Sequence, residues 1–224
     1  MELYEVMRTT AATRAFTADP VDDTQIAAIL ENARFASNGG NRQGWRVIVV
    51  RDATTRAAIA GAAEPVGRRY AAQVRVGEAP WNSVVPTAVD DATIAATPVP
   101  DWFVRHYLEA PVLLVVCVDL SLVASVDQYL DRVGVISGAS VYPFVQNILL
   151  AARHEGLGGT LTTGPIAGEA RLQEALGVPA HVAIAAIIPL GRPVKQVTRL
   201  TRAAVSTFAT LERFDGKPLA DPET

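Results

Sequence analysis

Ser37-Asn-Gly-Gly-Asn-Arg-Gln-Gly-Trp45-Arg-Val-Ile-Val-Val50 joins a helix to a strand. Two glycines flanked by asparagines break the helical period, and the aromatic and β-branched run from Trp45 to Val50 reads as a strand. On the N-terminal side, Asp22 stands as a helix N-cap, Gln25 falls at the capping-box position, and Val21 with Ile26 forms a hydrophobic staple. The buried face of that helix follows as Ile26, Ile29, Leu30 and Ala33. An earlier helix runs through Leu3, Val6 and Met7, which share one face, and ends near Thr9 or Thr10. On the C-terminal side, Asp52 caps a further helix.

Farther along, Val112 to Val118 is a continuous apolar strand, Val133 to Arg153 a helix, and Val182 to Leu190 a second buried strand. Gly156-Leu-Gly-Gly-Thr-Leu-Thr-Thr-Gly164 is rich in turn residues, and Glu169 to Leu176 forms a short amphipathic helix. Residues Glu64 to Glu109 hold five prolines with Trp81 and Trp102 and show no sustained period, which suits an inserted lid or a surface excursion. From Arg192 no core pattern remains, and a polar tail begins near residue 203. Apolar strands this few and this unevenly spaced predict one α+β domain over residues 1–224, a mixed sheet flanked by helices, rather than a doubly wound sheet.

Half of the 224 residues are apolar and the formal charge is −3, so there is no global attraction to nucleic acid or to anionic membranes. The acidic start Met1-Glu-Leu-Tyr-Glu5 is unlike a secretory signal and favours the cytoplasm. Residues Val133 to Ala152 carry no charge, yet Ser137, Ser140, Pro143, Gln146 and Asn147 make the run too polar for a membrane span. A helix apolar nearly all round belongs in a core or a subunit interface. Cys117, the only cysteine, lies inside a strand, and the three histidines, His106, His154 and His181, have no second ligand at metal spacing, so no metal site is expected and the histidines are read as surface or locally satisfied groups. Gly-x-Ser-x-Gly, the P-loop and Gly-x-Gly-x-x-Gly are all absent.

Two basic clusters remain. Arg192 to Arg202 carries four cations and no acid, and Arg8 and Arg14 stand beside Thr9, Thr10 and Thr13. Either suits a phosphate, as either also suits a solvated face.

In order and approximate spacing these segments resemble the nitroreductase family of flavoproteins. Arg14-Ala-Phe16 is similar to the family's Arg-x-Phe, Ser37 to Trp45 to its small-residue loop and Asn-x-Gln-x-Trp. Gln146-Asn147, Gly156-Leu-Gly158 and Pro189-Leu-Gly-Arg-Pro193 match its later motifs. The likeness covers about residues 1 to 60 and 110 to 203. It implies an FMN-binding α+β fold, an intertwined homodimer with flavins between subunits, and ping-pong transfer. NAD(P)H reduces the flavin, which then reduces a nitroaromatic, a quinone or a similar conjugated acceptor. A dehalogenase or dehydrogenase of the same family, and a flavin-storage protein, are the alternatives the resemblance leaves open.

By the same resemblance, Arg14, then Arg8, Thr10, Arg199 and Arg202, hold the flavin phosphate and polar tail. The chain departs from the pattern at Thr10, Ala11 and Ala12, where relatives carry basic and hydroxyl residues, and this moves weight onto Arg14 and the C-terminal arginines. Asn38, Gly39, Gly40, Asn41 and Gln43 reach the ring from the partner subunit. Thr162, Thr163 and Gly164 fall where the family places an amide donor near flavin N5, which makes Thr163 and Gly164 the catalytic candidates. The Thr163 hydroxyl there implies support for one-electron chemistry. Trp81, Trp102, Phe103 and Tyr142 are candidate pocket walls.

Overall fold

The computed structural model describes residues 1–222; the last two residues of the polar tail, 223–224, lie outside the described set. Helix α1 (Leu3–Thr9) ends where the Thr9 and Thr10 hydroxyls donate back to the carbonyls of Glu5 and Val6, satisfying last-turn acceptors. Of the expected face only Val6 is buried, and Leu3 and Met7 are exposed. Helix α2 (Asp23–Ala33) starts on a complete capping box: the Gln25 N–H donates to Asp22 Oδ1 at 2.8 Å, and Gln25 Oε1 accepts the Asp22 N–H at 3.3 Å. Val21 and Ile26 share one core cluster with Ile29 and Ala33, and Leu30 packs on it.

Strand β1 (Trp45–Val50) leads to helix α3 (Ala53–Arg75), capped by Asp52, which accepts the Thr55 N–H at 2.7 Å. This helix continues through Pro65, so Glu64 to Arg75 is regular rather than irregular. Pro65 removes one backbone donor, but the buried residues Ile59, Ala63, Val66 and Ala72 lie on both sides of it and carry the helix past. After α4 (Asp91–Ala96) and α5 (Asp101–Glu109) comes β2 (Val112–Asp119), then α6 (Tyr142–His154), β3 (Gly158–Gly159), α7 (Glu169–Leu176) and β4 (Val182–Gly191).

The sheet order is β1-β2-β4-β3 and every ladder is antiparallel; the parallel element is a single bridge between Ala12 and Gly159. Strand β2 explains its own apolar run. Val112, Leu114 and Val116 face a cluster with Ile29 and Ile148 of α2 and α6, while Leu113, Val115 and Cys117 face Ile59, Tyr107 and Leu172 of α3, α5 and α7. Both faces of the sheet are covered, so alternation is lost. Burial pushes the Cys117 thiol up to about 11, which suits an inert core residue.

The helix expected from Val133 begins only at Tyr142. Pro143 is the reason: it is favoured in a first helical turn and disfavoured inside a helix. Ile136–Ser140 forms a 3-10 turn, and the loop before it is gathered by Asp127. That side chain is 2% exposed; it accepts the Val135 N–H at 2.7 Å and pairs with Arg132 at 2.9 Å. Helix α6 is amphipathic, with Phe144, Val145, Ile148 and Ala152 buried, so the uncharged stretch is not one helix apolar all round. Trp45 stacks on Phe144 at 4.7 Å and ties α6 to the start of β1. No helix of the described residues is long and apolar enough to cross a membrane, and none of their His, Cys, Asp and Glu groups could hold a metal.

Candidate active site

Residues 12–17 run between β3 and the segment that leaves β4. The Thr13 N–H donates to Gly159 O at 2.9 Å, the Val194 N–H to Ala15 O at 3.1 Å, and the Thr17 N–H to Arg192 O at 2.9 Å. So close an approach needs glycine: a Cβ on Gly158 would stand 2.5 Å from Thr13 Oγ1, and one on Gly159 would stand 2.9 Å from Pro189 O. The turn signal in Gly156 to Gly159 is therefore also a packing requirement.

This seat places Arg14 on a cavity of ≈ 450 Å³. Thr162, Thr163 and Gly164 form one side of it. Thr162 is bonded to Ile187 of β4 in both directions, at 3.0 and 2.9 Å, and its hydroxyl donates to Ile187 O at 3.0 Å. The Thr163 and Gly164 N–H groups have no backbone acceptor among the described residues, and Thr163 is exposed.

The opposite wall comes from the middle segment. Trp102, Phe103, His106 and Tyr107 all face the cavity from α5, joined by Tyr70 and Trp81. The rings of Tyr70, Trp102 and Phe103 lie 5.5 to 5.8 Å apart, and the Arg69 guanidinium covers Trp81 at 4.6 Å. Tyr142 is not a wall here; its hydroxyl donates to Ala185 O at 3.3 Å, on a different surface.

His106 was missed. It is 4% exposed, with Nδ1 3.3 Å from Trp102 O and Nε2 buried without a partner, which corrects its reading as a surface or satisfied histidine. Burial lowers its pKa, and the positive Arg14 nearby lowers it further against the opposing Trp102 carbonyl. The ring is therefore neutral at pH 7. Burial likewise pushes the Tyr107 phenol up to about 12, so it stays a donor. The signal was the spacing of 102, 103, 106 and 107, one face of a helix.

The other expected residues lie elsewhere. Arg8 is exposed, Thr10 is bonded to its own helix, and Arg199 and Arg202 are exposed. The basic segment does start beside the N-terminal cluster, where Gln196 Nε2 donates to Thr9 O at 3.3 Å and Arg192 pairs with Asp19 at 3.3 Å. The loop Asn38 to Gln43 is tightly wound: Gly40, Asn41 and Gln43 have φ of 62°, 52° and 50°, and Asn38 Oδ1 accepts the Gln43 N–H at 2.9 Å. Asparagine tolerates the left-handed region at 41, whereas Gln43 there is an uncommon conformation, held by the bond from its N–H to Asn38.

That loop enters β1 at the far edge of the sheet. Trp45 pairs with Val118 and Val118 with Ala183, whereas Thr162 bridges Ile187. Three strand spacings of about 4.8 Å and four residues of rise at about 3.4 Å put the loop about 20 Å from Thr162 within one chain.

The Nitroreductase family model matches residues 7–192. A protein of Thermus thermophilus named NADH dehydrogenase is 30% identical over 185 residues, 82% of each chain. Among solved structures, a Desulfovibrio desulfuricans protein described as a nitroreductase in complex with FMN superimposes with a TM-score of 0.68 at 21% identity, over 96% of this chain and 98% of that one. Iodotyrosine deiodinase bound to FMN and 3-iodo-L-tyrosine gives 0.66 at 21%, over 91% and 96%. The NADPH:FMN oxidoreductase of Vibrio harveyi complexed with NAD+ gives 0.65 at 20%, over 95% and 78%. With its α+β sheet, its Arg14 and Thr162–Gly164 cavity and a family match over most of its length, the chain belongs to the nitroreductase family.

Proposed function

We propose that this chain is an FMN-dependent oxidoreductase. It takes electrons from NAD(P)H and passes them, in a second step at the same site, to a nitroaromatic, a quinone or a similar conjugated acceptor. The observation that carries this reading is the cavity itself: one cation, Arg14, two unpaired backbone donors at Thr163 and Gly164, and a wall of aromatic rings packed edge-on and tilted. An aromatic wall suits a flavin ring, and unpaired donors suit its electron-rich edge.

FMN, when bound, supplies the hydride-accepting chemistry. Arg14 would hold it from the polar side, with the exposed Arg8, Arg199 and Arg202 free to turn to the phosphate, and Thr10 able to join only by giving up its bond to Val6 O. Thr163 and Gly164 would present donors to the ring from a turn that Thr162 anchors on β4, stabilising the charge that arrives with the hydride. Neutral His106 adds no second positive charge, and the aromatic wall gives the site an apolar side. Residues 64–109 supply that wall, which supports their role as a cover over the site.

A distance of about 20 Å keeps Asn38, Gly39, Gly40, Asn41 and Gln43 from meeting a ring held by Thr162 of the same chain. A homodimer in which each loop serves the other subunit's flavin resolves this. Exposed apolar side chains on α1, Leu3, Tyr4 and Met7, support such an interface. A reaction that draws on NAD(P)H suits the cytoplasm, as does the acidic N-terminus. The names of the similar proteins, an NADH dehydrogenase, an FMN complex and an NADPH:FMN oxidoreductase, point the same way.

The test is direct. Protein reconstituted with FMN should be yellow, elute at twice the chain mass, bleach rapidly with NADH or NADPH in the absence of air, and recover colour on adding a quinone. A protein that takes up no FMN, or holds it without bleaching, removes the reading.

A further inference from the structure

Thr162 is held by more than its strand pairing. Its Oγ1 donates to Ile187 O at 3.0 Å and accepts the hydroxyl of Tyr107 at 3.0 Å. Tyr107 is 1% exposed and comes from α5, 55 residues earlier in the chain. A buried phenol needs a partner, and Thr162 is the one it has among the described residues. The same hydroxyl would lie 3.5 Å from a Cβ on Gly164, so the Tyr107 ring edge also bears on the turn two residues later.

The three-member chain has a definite polarity. Because Tyr107 fills an acceptor position of Thr162, the single Thr162 proton is committed to Ile187 O and the rotamer is fixed. One and two residues further on are the unpaired N–H groups of Thr163 and Gly164. Tyr107 also belongs to the helix that carries Trp102 and Phe103 into the cavity, so the relay couples the aromatic wall to the donor turn.

We propose that Tyr107 is a positioning residue: acting through the Thr162 hydroxyl, it fixes the Thr162–Gly164 turn so that its free N–H groups meet the flavin ring in one geometry. This rests on the FMN reading above. It assigns a role in the redox site to a phenol that need not touch the flavin.

The test uses the FMN-loaded protein. Tyr107→Phe removes one hydroxyl and keeps the ring. Its flavin midpoint potential should move to more negative values, its visible absorption band should shift, and its rate of reduction by NADH should fall between about 3-fold and 10-fold, the range of one net hydrogen bond. Thr162→Val should give the same changes, the double variant should add little, and Thr162→Ser should recover most of the shift. If Tyr107→Phe folds poorly, the contrast between Thr162→Val and Thr162→Ser decides alone. A lowered unfolding temperature with unchanged potential, spectrum and reduction rate would mean that Tyr107 only packs, and overturns the proposal while the FMN reading stands. A wild-type protein that binds no FMN overturns both.

Discussion

Gly158→Ala should destabilise the fold and loosen the cofactor site together. The new Cβ would meet Thr13 Oγ1 at 2.5 Å, Thr13 Cβ at 3.1 Å and Thr13 Cγ2 at 3.3 Å. Rotating Thr13 moves the first and third atoms but not the second, and comfortable carbon contacts lie near 3.5–4.0 Å. The segments must therefore part by roughly half an ångström, which stretches the 2.9 Å bond from Thr13 N–H to Gly159 O to the edge of usefulness. Overpacking costs about 1–3 kcal/mol and the weakened bond up to about 1 kcal/mol. The stiffer unfolded chain returns about 0.4–1 kcal/mol. The net loss of about 1–3 kcal/mol should lower the urea midpoint by about 0.5–1 M. Arg14 is the next residue, so FMN affinity should fall as well. Thr13→Gly in the same chain should restore part of both. Gly61→Ala is the control: nothing lies within 4 Å of its Cβ, and it should stabilise by about 0.4–1 kcal/mol. Equal urea midpoints for wild type and Gly158→Ala, or no recovery with Thr13→Gly, would refute the steric reasoning.

Arg14→Ala should weaken FMN binding about 10-fold or more, since a charge-assisted bond is worth about 1.5–3 kcal/mol. Arg199→Ala and Arg202→Ala should do likewise if these residues reach the phosphate; unchanged affinity by flavin fluorescence in both would remove them from the site. His106 has a lowered pKa, so as pH falls below about 6.5 the unfolded chain takes up a proton that the folded chain refuses. Stability is therefore full above that pH and falls below it until the folded-state pKa is passed. The urea midpoint of His106→Gln should change less than that of wild type between about pH 7 and pH 5. Backbone hydrogen bonds led by Val135, joined by Arg132, hold the Asp127 carboxyl down at about 2, so its loop contacts should persist in acid until pH falls near that value. Asp127→Ala should speed amide hydrogen exchange at Val135 and Ile136 with little effect on β2.

Local chemistry made much of the fold legible. The Asp22 and Gln25 capping box, the Asp52 cap, and the runs at Trp45–Val50, Val112–Val118 and Val182–Leu190 each act within a few residues, and each appears as expected. The errors arose where local signals compete. Pro65 argued for a break that a buried helical stripe overrides, and the absence of charge from Val133 to Ala152 hid the start imposed by Pro143. His106 was read as a surface or satisfied group and Tyr107 was not singled out, because their importance depends on what lies opposite, on Arg14 and Thr162.

By itself, then, the sequence determined the α+β class, the helix caps and the strands, because those follow from short-range propensity and apolar period, and it carried the ordered motifs by which the chain resembles the family. Only the tertiary structure decided which residues share a cavity. Arg14 reaches it by pairing of residues 12–17 with β3, Thr162 by pairing with β4, and the aromatic wall by the packing of α5 on α3. Those contacts join positions as far apart as 14, 107 and 162, and long-range packing rather than local preference sets them.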